Sequence, residues 1–194
     1  MKNIKFSGTL LFLAGSFILL GIITAEAFYP SGYTTVNSEI SDLGATVPPN
    51  SVSYQPSATI FNTTMLVTGL MVLVAAFYLH KQFKKYLFSI PFFLFAIALT
   101  GVGIFPGNKV PYHGICALLT FTMGGFSAIA SFKIISGPLR YISIVFGLIT
   151  LITLFTANNF IPVIGDGGTE RWVAYPVVLW LTGFGGYMLA KKEL

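Results

Sequence analysis

The chain has 194 residues, of which 55% are hydrophobic and only 9% charged, with a mean hydropathy of +0.81. Soluble domains carry about 25% charged residues, and disordered chains are poor in hydrophobic ones, so both classes are excluded and a membrane protein is expected. The net charge of +5 would suit nucleic acid in a soluble protein, but here the placement of the basic residues matters more, and no nucleic-acid partner is expected.

Six stretches reach the ~20 apolar residues that a helix needs to cross hydrocarbon. They cover residues 6–28, 58–79, 86–105, 112–135, 139–157 and 170–190. The expected fold is therefore an all-α, single-domain, six-span membrane protein built as three hairpins. The first stretch follows Lys2 and Lys5, as a signal peptide would. It is too long for one, and Thr24-Ala25-Glu26-Ala27 is a poor cleavage site, so it counts as a span.

A long loop, 29–57, follows the first span. Within it Ser38 is expected to cap one helical turn and Gly44 to end it, holding Asp42 over the bundle mouth. Each odd-numbered span leaves through an aromatic, a proline and then a glycine: Phe28-Tyr29-Pro30-Ser31-Gly32, Phe105-Pro106-Gly107, and Phe160-Ile161-Pro162 before Gly165. Proline commonly follows a helix end, which explains this without an internal duplication. Pro91 and Pro176 should kink their spans. In lipid, small residues mark helix contacts. Gly101, Gly103, Gly124, Gly125, Gly183, Gly185 and Gly186 are the candidates. The segment 158–169 is expected as a second outer loop. Cys116, the single cysteine, can form no intramolecular disulfide.

Lysine and arginine near the span ends set orientation. Lys2, Lys5, Lys81, Lys84, Lys85, Lys133, Arg140, Lys191 and Lys192 fall on one side, and only Lys109 and Arg171 on the other. The positive-inside rule then puts both termini in the cytoplasm and the protein, multi-pass, in the cell membrane. Tyr29, Tyr33, Tyr112, Tyr175 and Trp172 are expected as an aromatic belt at the outer interface.

Polar residues at membrane depth are costly and are functional candidates by default. Glu26, Asn62, His113, Asn158, Asn159, Glu170 and Arg171 share one depth on the outer side. Asp42, Asn62, His113, Glu170 and Arg171 are the expected ligand-binding set, with Arg171 on an anionic headgroup and Asn62 bonding it from below. Should there be catalysis, His113, Asp42 and Glu170 are its candidates, with Ser41 or Ser38 a nucleophile only if the loop delivers it to His113. Structural pairing of Arg171 with Glu170, Asp166 or Asp42 is the competing reading. Thr169 is expected to accept backbone N–H bonds at the start of the last span. There is no G-x-S-x-G, H-E-x-x-H, C-x-x-C or P-loop. Two histidines exclude a multi-histidine zinc site. Asp42, Glu39 and Glu170 are suitable oxygens for Mg²⁺ or Ca²⁺, but no metal and no cofactor is assigned.

Three segments carry a resemblance: Ser38-Glu39-Ile40-Ser41-Asp42-Leu43-Gly44, Phe105-Pro106-Gly107 with His113-Gly114, and Glu170-Arg171-Trp172 within 168–176. They resemble domain-of-unknown-function family 998, small archaeal and bacterial membrane proteins. The resemblance covers nearly the whole chain and implies six spans without an established activity. More distantly, Ile40-Ser41-Asp42 before Pro48-Pro49, with His113 ahead of Leu118-Leu119-Thr120-Phe121-Thr122-Met123-Gly124, is similar to the Frag1/DRAM/Sfk1 family. That likeness covers about two-thirds of the chain and implies lipid-related work by analogy.

The function expected is lipid handling, by headgroup binding or modification in an outward polar pocket, with membrane lipids as partners. The alternative is a non-catalytic structural or assembly subunit with a membrane-protein partner, or a homo-oligomer. Transport is disfavoured because the span centres carry almost no ionisable residues.

Overall fold

The computed structural model describes residues 2–191, and Lys192 and Glu193 lie outside them. Six α-helices account for most of the described chain: α1 (Lys2–Ala27), α2 (Ser57–Phe83), α3 (Tyr86–Ile104), α4 (Tyr112–Ala130), α5 (Pro138–Phe155) and α6 (Ala157–Ala190). Single 3₁₀ turns occur at Ser41–Leu43 and Ser131–Lys133. No strand occurs among the described residues. All six helices are long and apolar enough to cross a membrane. Such β-branched and aromatic stretches are mediocre helix formers in water. In hydrocarbon they must satisfy every backbone group internally, and a helix does so.

The connections show how tightly local chemistry sets the ends. Lys84 takes a left-handed conformation (φ 49°) and donates its N–H to the His80 carbonyl, closing α2 one residue before α3 is capped. Gly137, also left-handed (φ 72°), precedes Pro138 at the first position of α5, where a missing N–H costs nothing.

Each helix packs against its sequence neighbours, and α1 packs against α6, so the six form a closed ring. One end of the ring gathers Glu26, Asn62, Phe105 and His113 beneath the 28–56 loop. At the other end Phe6 meets Tyr78 edge-on at 5.8 Å, the Ser136 N–H donates to the Tyr187 hydroxyl at 3.1 Å, and the Lys191 ammonium lies 4.6 Å above the Phe83 ring. These are called the loop end and the lysine end below.

The half towards the lysine end is filled by rings. Phe88, Phe92, Phe95, Trp180 and Phe184 are all buried. Trp180 stacks on Phe184 at 5.4 Å and meets Phe92 edge-on at 5.9 Å. Its indole N–H donates to the Ser131 hydroxyl at 3.2 Å, which removes the cost of burying that donor. Outward, Leu20, Ile23, Leu70, Ile90, Ile97, Leu118 and Ile152 are all exposed. A water-soluble monomer rarely carries so continuous an apolar surface, and hydrocarbon solvent accounts for it.

Two expectations need correction. The segment 158–169 is not a loop: α5 ends at Phe155, and α6 begins at Ala157 and continues to Ala190 with one break, at Gly165 (φ 76°). The run Gly165-Asp166-Gly167-Gly168 looks like loop punctuation, but only Gly165 leaves helical geometry. Gly167 is small for another reason, since a Cβ there would collide with the Ser38 carbonyl oxygen, and the N–H groups of Gly167 and Gly168 both donate to the Val36 carbonyl at 2.9 and 3.2 Å. Thr169 does not accept backbone N–H bonds; its hydroxyl donates to the Gly165 carbonyl at 2.7 Å.

The glycines expected at helix contacts divide. A Cβ on Gly185 would lie 2.8 Å from both the Gly8 carbonyl oxygen and Phe12 Cα, so α1 and α6 touch there by backbone. Gly103 comes equally close to α2, where a Cβ would lie 2.5 Å from the Leu66 nitrogen. Gly183 faces only Leu139, at 3.6 Å, and marks no tight contact.

Candidate functional site

The loop end is organised by Arg171, on α6 six residues past the Gly165 break. Its Nη1 donates to the carbonyls of Thr35, Ser38 and Gly167 at 2.9–3.1 Å. Its Nη2 donates to Glu26 Oε1 at 2.5 Å and to the Tyr33 hydroxyl at 2.8 Å. A planar fork of donors suits such a task, because one side chain fixes several acceptors at once. Arg171 thus ties α1, α6 and residues 33–38 together. Its ionic partner is Glu26, not Glu170, Asp166 or Asp42. Burial pushes the Tyr33 phenol well above its ordinary value, against the opposing pull of Arg171, so it stays a neutral bridge.

The 3₁₀ turn Ser41–Leu43 is clamped at both ends. The Ile40 N–H donates to Glu170 Oε2, so a carboxylate from α6 caps the turn across the bundle. Asp42 Oδ2 accepts the Glu39 N–H at 2.9 Å, a second carboxylate bond from within the turn. At the far end Gly44 terminates the turn, as expected, with its N–H on the Ser41 carbonyl. Gly44 packs so closely on Asn62 Oδ1 that a Cβ would collide, and Asn62 Nδ2 reaches the Gly44 carbonyl at 3.5 Å. Ser38 does not cap this turn; its hydroxyl accepts the Thr34 N–H at 3.1 Å.

His113 opens α4 and is buried. Its Nδ1 lies 2.7 Å from the Phe105 carbonyl oxygen, which can only accept, so Nδ1 carries hydrogen and Nε2 is left for other chemistry. Around it two spaces adjoin. One is a cavity of about 60 Å³ inside the bundle, walled by apolar side chains such as Ile22, Met65, Phe95 and Val177, with Ser41, His113, Thr120 and Glu170 as its polar members. The other is an open groove of about 630 Å³ that adds Glu39, Pro111 and Leu154. Ser41, His113, Ala117, Phe121 and Glu170 line both. They form the junction between buried space and the outside.

Burial raises the Glu39 carboxyl, and the neighbouring Asp42 charge raises it further. Burial also raises Asp42, with the Glu39 N–H and the His113 charge opposing. Among the described residues no three His, Cys, Asp or Glu side chains converge closely enough to hold a metal ion.

A family model described as "Protein of unknown function (DUF998)" matches residues 13–187. The chain belongs to this family. Searches of curated proteins and of solved structures return no match.

Of the site residues expected in this DUF998 member, His113 and Glu170 share one space. Asp42 stands behind them on the turn, and Ser41 rather than Asp42 lines the mouth. Asn62 holds the turn and does not line the cavity. Arg171 lies on the opposite side of the turn, bound to Glu26. Asn158 and Asn159 are exposed in the first turn of α6 and join nothing. Sequence reasoning missed Thr120 as a site residue. It is buried, lines the cavity, and its hydroxyl has no hydrogen-bond partner. It stands seven residues after His113, two turns along one helix face, which was the available signal.

Proposed function

We propose that this protein binds a membrane amphiphile at the loop end, with its polar head at Ser41, His113, Glu39 and Glu170 in the open groove and only the end of its chain entering the bundle cavity. The observation that carries the reading is the junction itself. Five residues line both a mostly apolar internal cavity and an open groove, and three of them, Ser41, His113 and Glu170, are polar. Binding sites for small molecules are concave and mostly apolar, with a few convergent polar groups. Arg171 serves this site indirectly, by fixing the loop that carries Ser41. The lipid-related function implied by the Frag1/DRAM/Sfk1 resemblance agrees with this reading.

The proposal includes orientation. The helices form three hairpins across the cell membrane, with both termini and the lysine end cytoplasmic and the loop end outside. Chemistry on the bound lipid would fall to His113 Nε2 as the base, with Glu170 and Asp42 as its acidic neighbours.

The test is extraction of the protein in native membrane discs, followed by mass spectrometry of the lipid it retains. Wild type should retain a defined amphiphile, and Ala117→Phe, which fills the junction, should lose it while remaining folded. Equal retention by both would overturn the proposal.

A second reading, a structural or assembly subunit, is favoured by one observation: the Arg171 guanidinium is consumed by internal contacts. It expects a membrane-protein partner or a second copy to be captured by crosslinking in native membranes, at unchanged yield in Ala117→Phe.

A further inference from the structure

The lysine end carries charge that has no partner inside the fold. Among the described residues the carboxylates are Glu26, Glu39, Asp42, Asp166 and Glu170, and all of them lie at the loop end. The ion pair found among those residues, Arg171 with Glu26, lies there too. The cations of the lysine end therefore meet no acidic side chain among the described residues.

Two of those cations converge. Lys133 Nζ lies 4.6 Å from the centre of the Phe132 ring and the Arg140 guanidinium carbon 5.4 Å from the same centre, so the two are at most about 10 Å apart. Both distances fall within the ~6 Å reach of a cation–π contact, so one ring holds both groups. The ring positions them and does not neutralise them, and an anion between them relieves their repulsion.

The link that carries these groups is tied down on both sides. The Ser131 hydroxyl donates to the Ala128 carbonyl at 2.6 Å and accepts the Trp180 N–H. The Tyr187 hydroxyl accepts the Ser136 N–H at 3.1 Å. Arg140 stands in the first turn of α5, so the positive end of that helix dipole adds to the two cations. Beside Arg140 an exposed apolar stripe begins and runs down α5 through Tyr141, Val145, Leu148 and Ile152. By helix rise it is about 16 Å long, the scale of an acyl chain in one leaflet.

We infer that Lys133 and Arg140 hold the phosphate of an anionic phospholipid whose acyl chains lie along this stripe. A lipid supplies both halves of the contact, whereas free phosphate supplies only the first. Membrane orientation needs basic residues at this end, but it does not need two of them on one ring. The site lies at the opposite end of the bundle from the junction and is independent of the amphiphile reading.

Native mass spectrometry of the full-length protein, titrated with phosphatidylglycerol or phosphatidylcholine of the same chains, tests the inference. Wild type should bind phosphatidylglycerol at least about tenfold more tightly, the difference expected for one charge-assisted contact. Lys133→Gln with Arg140→Gln should remove that preference. Lys81→Gln with Lys85→Gln takes the same charge from the same end and should leave the preference within about twofold, as screened surface charges do. Phe132→Leu keeps every charge and should weaken phosphatidylglycerol about threefold through loss of the cation–π contacts. Ala117→Phe should change none of these values. Absence of a preference in wild type, its survival in Lys133→Gln with Arg140→Gln, or equal loss in the two glutamine pairs would overturn the inference. Displacement of phosphatidylglycerol by inorganic phosphate would overturn the assignment to a lipid.

Discussion

The two halves of this bundle solve the same burial problem differently. Towards the lysine end, aromatic rings interlock and the buried Trp180 N–H finds Ser131. Towards the loop end, aliphatic side chains and the rings of Phe61, Phe95 and Phe121 leave a cavity, polar residues rim it, and a buried hydroxyl has no partner. Dense packing makes a rigid base, whereas incomplete packing beside polar groups leaves room for the proposed ligand. The loop over the cavity half buries Ile40 and Leu43 in the core, with Tyr29 and Tyr33 packed against it. It is also held by ions and hydrogen bonds: Arg171 on its carbonyls, Glu170 on its turn, Asn62 on its glycine.

Substitutions in each half can break this contrast. The largest effect is expected in the base. Trp180→Ala should cost about 3–5 kcal/mol, as truncation of large buried aromatics does, and lower the melting temperature in detergent far more than any change at the cavity. A small effect there would mean that the ring stack does not hold the bundle.

Arg171→Ala should cost about 3 kcal/mol, since it strands Glu26 and frees two loop carbonyls and that of Gly167. Its distinguishing mark is local: proteolysis within 29–56 should accelerate before the helices melt. Arg171→Lys should rescue little, because an ammonium cannot reach all five acceptors at once. Global melting without early loop cleavage would contradict the anchoring role.

Next come the glycines. Gly185→Ala forces α1 and α6 apart and should cost about 1–3 kcal/mol. Gly183→Ala, whose new methyl would meet only Leu139 at ordinary contact distance, should be neutral. Equal melting temperatures for the two would contradict a backbone contact between α1 and α6.

The smallest effect is a pH response confined to the cavity half. Glu39 and Asp42 are raised above ordinary carboxyl values by burial, and for Glu39 also by the Asp42 charge. The folded state therefore binds these protons more tightly than the unfolded state does. Their stabilisation is complete below about pH 4, the ordinary carboxyl value, and is lost as pH rises through the raised values. Hydrogen exchange in residues 33–45 should slow as pH falls from 7 to 5, after correction for intrinsic rates. Glu39→Gln with Asp42→Asn should flatten the response. Docking that weakens towards acid would contradict the assignment.

Hydropathy made the six helices legible, because in lipid a long apolar stretch has almost one option. The terminating Gly44 was legible too, as was the shared depth of His113 and Glu170. The break at Gly165 was not, since a glycine run signals a loop and a close backbone contact equally well. Nor was the Arg171–Glu26 pair. Both residues were visible as candidates, but partner choice depends on how α1 and α6 meet, and that is set by Gly8 and Gly185 far down the helices. Thr120 escaped because a threonine in a span ordinarily satisfies itself, and only packing reveals one that does not.

The central claim is that the end of an alkyl chain enters the space beneath His113 and Glu170. Photolabelling in membranes with a lipid carrying an alkyl diazirine at its chain end, followed by peptide mapping, tests it most directly. The account predicts adducts on inward positions, Ala117, Thr120, Phe121 and Val177, that are abolished in Ala117→Phe. Adducts restricted to outward positions such as Leu118, Ile97 and Ile152, unchanged by that substitution, would contradict it.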